Sequence, residues 1–123
     1  MSDLREMIKH VNWYVDKIAN DPMTVKKDCE YYIEDVNMLR EDLNLYIKEV
    51  TAKFEEWSNK SLEVWLWEDK NIFARIKRHI CMVFVNHKLY NFSGKIARAQ
   101  ILTRNIDVVS GRLEQFHMLS LQR

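Results

Sequence analysis

His79, Cys81 and His87 bring three metal-ligating side-chain types close together in the chain. A tetrahedral site needs its donors to converge, and on a helix residues two apart point in nearly opposite directions, so no metal or other cofactor is expected here. Glu55–Glu56 and Glu68–Asp69 offer paired carboxylates. Successive helical side chains diverge by about 100°, so neither pair makes an acid/base dyad, and both read as solvated charges near helix ends. Gly94 and Gly111 stand alone. Without a glycine-rich loop to cradle phosphates, ATP and dinucleotide chemistry is disfavoured, and no small-molecule substrate is evident.

The cations carry the strongest asymmetry. Residues 1–69 hold sixteen acidic and nine basic side chains, and residues 70–123 hold two and ten, inside a chain whose formal charge is +1. At 100° per residue Lys70, Lys77 and Lys88 fall within about 20° of one another, and Arg98, Asn105 and Arg112 follow at steps of seven. Together with Arg78, Lys95 and Arg104, these residues form a candidate surface for an acidic protein or a single-stranded nucleic acid. His79, His87, Tyr90 and Asn91 are available to stack on or hydrogen-bond bases. Cys81 and Phe84 lie close to the lysine stripe, so that face is not purely solvated. The competing expectation is that the cations answer acidic residues such as Glu30, Asp35, Glu41 and Glu56 within one bundle.

Arg112-Leu113-Glu114-Gln115-Phe116-His117 sets an Arg and a His five apart. Over these six residues the chain resembles the R-x4-H element of HEPN-domain ribonucleases, with Leu113 where that element usually has a polar residue. The resemblance implies a dimer-interface site acting on RNA, with His117 as acid or base and Arg112 stabilising phosphate charge. No other catalytic constellation is evident, and the expectation for the whole chain is a non-enzymatic protein.

These residues must be positioned by helices. Two Gly and one Pro leave little material for tight hairpins, which argues for an all-α fold. Leu4, Ile8, Val11, Val15 and Ile18 mark a first helix from about Asp3 to Asn20. Asp21 before Pro22 reads as an N-cap with proline at the first helical position, and Thr24 is the competing cap. Cys29, Val36, Leu43, Val50 and Trp57 then recur every seventh residue, with Tyr32, Leu39 and Tyr46 between them, which is a coiled-coil-like seam. Lys53 interrupts it, while Ile33, Ile47 and Phe54 broaden it toward a bundle stripe. A break is expected at 58–61. From Leu62 to Phe92 apolar residues cover almost the whole circumference, as in a helix surrounded by partners. A short β-hairpin near 83–92 is the alternative, giving an α+β fold. Ser93–Gly94 should end that segment before a last helix on which Ala99, Leu102, Ile106, Val109, Leu113 and Phe116 share a face.

The expected architecture is one elongated antiparallel domain of about four helices over residues 1–123. A second helix of about 34 residues would be roughly 50 Å long against a radius of gyration near 14 Å. That mismatch points to self-association as a dimer or ring, with an elongated monomer as the alternative. The interface expected for it is the seam residues Tyr32, Val36, Leu39, Leu43, Tyr46, Val50 and Trp57, with Trp65 and Trp67 as anchors. Cys29 and Cys81, too far apart for a redox pair, read as reduced, buried thiols. No signal segment or membrane span is evident, so a cytoplasmic protein is expected, in the host cell if the chain is viral. Abundant Asn, Lys, Ile and Tyr with scarce Gly, Ala and Pro suit AT-rich coding, as in a phage, virus or AT-rich microbe. The function expected is a helical assembly or regulatory module, with an oligomeric nucleic-acid-binding accessory protein as the alternative.

Overall fold

A computed structural model describes residues 4–68 and 70–121, apart from the side chains of Ser120 and Leu121. The expected helix start at Asp3 and the Asp69 half of the Glu68–Asp69 pair lie outside the described residues. Four helices follow in order: α1 Leu4–Asn20, α2 Pro22–Lys27, α3 Cys29–Trp65 and α4 Ile72–Leu121. The described residues contain no strand, so the fold is all-α and bundled, and the hairpin considered for 83–92 is instead the middle of α4.

Local chemistry explains the boundaries. Asp21 accepts from the Thr24 amide at 3.5 Å and is paired with Lys17 at 3.4 Å, so Asp21, not Thr24, caps the helix that begins with Pro22. That helix is short. At Asp28 the backbone departs from helical geometry, although Tyr32 still donates to the Asp28 carbonyl at 3.2 Å.

Two expected breaks are absent. Ser58–Ser61 lies inside α3, because Trp57 and Val64 extend the same buried stripe across it and packing outweighs the weak helix preference of Ser and Asn. Ser93–Gly94 lies inside α4, flanked by the half-buried Phe92 and Ile96, and Gly94 has no positive φ. The true connection is at 66–71. There Leu66 donates to the carbonyls of Leu62 and Glu63, and Asn71 Oδ1 accepts from the Ala74 amide at 2.8 Å to start α4.

The chain divides into two compact units, one running up to Tyr46 and resuming at Arg98, the other covering Ile47–Ala97. The first joins α1, α2, the start of α3 and the end of α4. Its core sets Met7, Val11 and Tyr14 of α1 and Val25 of α2 with Val36, Leu39 and Leu43 of α3 and Leu102, Ile106, Val109 and Leu113 of α4. The last four, with Ala99, keep the three-and-four spacing expected of a bundle face. On α1 the buried side is rotated from expectation. Met7 and Tyr14 are buried whereas Val15 is 46% exposed, because the large Tyr14 ring gains more from burial and finds Tyr32 edge-on at 5.6 Å. Arg40 of α3 meets Asp107 of α4 at 3.0 Å.

The second unit is a helical hairpin of the end of α3 and the start of α4. Among its described residues the buried apolar side chains are Val50, Val64 and Val85, with Trp57 meeting Phe84 edge-on at 5.7 Å. With so few buried side chains this unit is thinly cored, although helices in proteins draw most of their stability from tertiary packing.

Candidate functional site

The seam expected between copies is largely spent within the chain. Val36, Leu39 and Leu43 are buried in the first unit and Val50 in the second, while Tyr32, Tyr46 and Trp57 are half-buried. That burial has a simple cause: α4 runs unbroken and supplies a covering face to α3 in each unit. Only Trp65 and Trp67 of that expected interface remain exposed.

The cations do not form one solvated ridge. Arg78 donates from Nη2 to the Trp65 carbonyl at 2.9 Å, closing an orphan acceptor at the end of α3, and its guanidinium lies 5.0 Å from the Trp65 ring centre. Lys77 lies over Trp67 at 5.7 Å, Lys88 over Phe84 at 5.6 Å and Lys95 over Phe92 at 5.5 Å. Lys70 pairs with Glu68 at 3.3 Å. Arg98 and Arg104 are exposed and belong to the first unit. The hairpin end therefore joins two of the expected tryptophans to two of the expected cations, beside a shallow hollow of about 380 Å³ lined by Trp65, Arg75, Arg78, His79 and Met82.

What dominates the second unit is exposed apolar surface. Leu62, Trp65, Leu66 and Trp67 around the turn, and Ile72, Phe73, Ile76, Ile80, Val83, Phe84 and Tyr90 on α4, are all exposed. Sequence reasoning recognised that this segment is apolar all round. It placed neighbours on every side, whereas α3 covers only one.

Arg112 and His117 address different hollows of the first unit. Arg112 lines one of about 300 Å³ with Val15, Ile18 and Val109. His117 Nδ1 lies 3.8 Å from Cys29 Sγ and 3.9 Å from Glu30 Oε1, in a cleft of about 420 Å³. Cys29 is buried, and Glu30 approaches the same ring nitrogen as the thiol, so the three are not arranged as a nucleophile–base–orienter relay. Cys81 is half-buried, and His79 and His87 are exposed, with His87 Nε2 3.4 Å from Asn91 Nδ2. Among the described residues no group of three or more His, Cys, Asp or Glu side chains is placed to hold a metal.

One polar cluster escaped the periodicity analysis. Asp35 of α3 accepts from the Tyr14 hydroxyl and lies 2.8 Å from His10 Nε2, and the His10 and Tyr14 rings stack at 5.3 Å. The available signal was the four-residue spacing of His10 and Tyr14, which puts both on one face of α1. Burial, then the bond to Asp35, raises the Tyr14 pKa well above its usual range. This cluster joins α1 to α3. No helix among the described residues is long and apolar enough to cross a membrane. Compared with family models, curated proteins and solved structures, the chain matches none.

Proposed function

We propose that this chain is a non-enzymatic helical assembly module that works through protein–protein contact, including contact with further copies of itself. The observation that carries this is the apolar surface of the hairpin unit, in which Leu66, Phe73, Ile76, Ile80 and Val83 stand in solvent over a core of few side chains. Monomeric proteins rarely expose a contiguous apolar patch beyond a few hundred Å², and a larger one marks an interaction site. Trp65 and Trp67 at the turn add rigid aromatic anchors of the kind that dominate interface energies. Size exclusion with light scattering, at low and physiological salt and with mixed single-stranded DNA and RNA, tests this. A multimer indifferent to both salt and oligonucleotide supports it, and a monomer throughout contradicts it.

A second reading, an oligomeric nucleic-acid accessory protein, is favoured by one feature: no acidic residue occurs from Lys70 to Ile106. On that reading Lys70, Lys77, Lys88 and Lys95 border one side of the segment, and oligonucleotide uptake falls steeply as salt rises.

A further inference from the structure

The side of α4 that α3 leaves open in the hairpin unit carries an apolar stripe of its own. Phe73, Ile76, Ile80, Val83, His87 and Tyr90 follow one another at steps of three, four, three, four and three, the period by which one helix packs on another. At 100° per residue they share an arc of about 100° on the side turned from the buried Val85. All six are exposed, Phe73 at 83% and Tyr90 at 79%. From Phe73 to Tyr90 the stripe is roughly 26 Å long, about five helical turns.

Cations border it. By the same angular count Lys77 and Lys95 lie about 40° outside its Phe73 edge and Lys88 about 60° outside, so one flank is lined with lysine from end to end. Arg75 lies about 60° outside the opposite edge, near the start of α4 only. Among the described residues Lys77, Lys88 and Lys95 meet aromatic rings and no carboxylate, and no acidic residue occurs from Lys70 to Ile106 to answer them. The exposed acids of the same unit, Glu49, Glu55, Glu56 and Glu63, stand on α3 at about 100–140° from its buried Val50, on the side turned from α4. An apolar stripe flanked by unanswered positive charge calls for a negative partner.

An acidic helix, an anionic lipid surface and a nucleic-acid strand all carry that charge, and the stripe's own make-up selects the first. Its C-terminal half is interrupted by His87, whose Nε2 lies 3.4 Å from Asn91 Nδ2, and Asn91 stands at the same helical angle as Phe73. Pressed into acyl chains this polar pair would lose water and gain no partner, whereas a helix offers side chains to bond it. The centre of the stripe is the aliphatic Ile76, Ile80 and Val83, on which bases have nothing to stack. Resting on the reading that the chain is a protein–protein module, we infer that this stripe takes an amphipathic helix of another protein, about five turns long, with apolar residues at three-and-four spacing and carboxylates on the flank that meets Lys77, Lys88 and Lys95. Apolar burial holds the helix, and the lysines select an acid-flanked helix over a basic one.

The test uses the full chain and two labelled synthetic helices of about three heptads, with leucine at the seam positions and either glutamate or lysine at the flanking ones. The glutamate peptide should bind at least about tenfold more tightly than the lysine peptide, with the preference shrinking as salt rises. A chain carrying Lys77→Glu, Lys88→Glu and Lys95→Glu should reverse the preference. Ile80→Asp, at an exposed position, should keep wild-type helical circular dichroism and lose the glutamate peptide. Equal binding of the two peptides, or no binding by a chain that still multimerises, overturns this pairing and leaves the protein–protein module standing. Uptake of phosphatidylserine vesicles or of a single-stranded oligonucleotide, with no uptake of the glutamate peptide, assigns the stripe to lipid or nucleic acid and overturns it too. A monomer that takes up neither peptide overturns the inference together with the reading on which it rests.

Discussion

The Tyr14 hydroxyl donates to Asp35 Oδ2, joining α1 to α3 through a buried ring and a half-buried carboxylate. Tyr14→Phe keeps the ring and deletes the donor, and its expected cost is about 1–2 kcal/mol in a urea titration, with the helical signal of the native state unchanged. A loss below a few tenths of a kcal/mol would show that water replaces the bond without penalty.

The same contact gives an alkaline signature. In the folded chain Tyr14 holds its proton far above the ordinary value of 10.0, first because burial disfavours the phenolate and then because the neutral hydroxyl is bonded to Asp35. The unfolded chain releases that proton near pH 10, so this contribution is intact below about pH 10 and is lost as pH rises further. Stability measured from pH 8 to 11 should fall more steeply for wild type than for Tyr14→Phe. Parallel curves for the two would contradict the assignment.

Leu43 on α3 and Leu113 on α4 are each almost fully removed from solvent in the first unit. Leu43→Ala and Leu113→Ala should each cost about 2–5 kcal/mol, the loss of buried methyl and methylene groups plus the cavity left behind. Thermal or chemical unfolding followed by circular dichroism reads this directly. A loss under about 1 kcal/mol at either position would mean that the core does not hold that side chain as described.

Gly111 sits inside α4 without positive φ, and a Cβ built there meets nothing within 4 Å. Gly111→Ala therefore removes backbone freedom from the unfolded chain at no steric cost and should stabilise by about 0.5–1 kcal/mol. A lower melting temperature than wild type would contradict the open helical environment of this residue.

The parts of the fold legible in the sequence are those with long unbroken periodicity. The seven-residue repeat is buried from Cys29 to Val50 and half-buried at Trp57, and the alternation from Ala99 to Leu113 is buried throughout. The boundaries were harder to read because single-residue preferences were asked to decide them. Ser58–Ser61 and Ser93–Gly94 cost a helix at most about 1 kcal/mol per residue, and flanking buried side chains outweigh that. The real turn at 66–71 has neither Gly nor Pro and is marked chiefly by the Asn71 cap. As for the site, the cations around Trp65 and Trp67 were named from composition, but their placement over aromatic rings depends on the hairpin bringing α3 and α4 together. The exposed apolar side of α4 was hidden by its buried side, since two apolar faces on one helix cancel the amphipathic signal that would reveal either.

Sedimentation equilibrium of the wild-type chain, run over a wide concentration range at low and at high salt, tests the central claim most directly. An assembly held by the exposed apolar face of the hairpin unit should show the mass of two or more chains, with an association constant that high salt leaves unchanged or strengthens. The mass of a single chain at all concentrations, or an association that dissolves as salt rises, would contradict it.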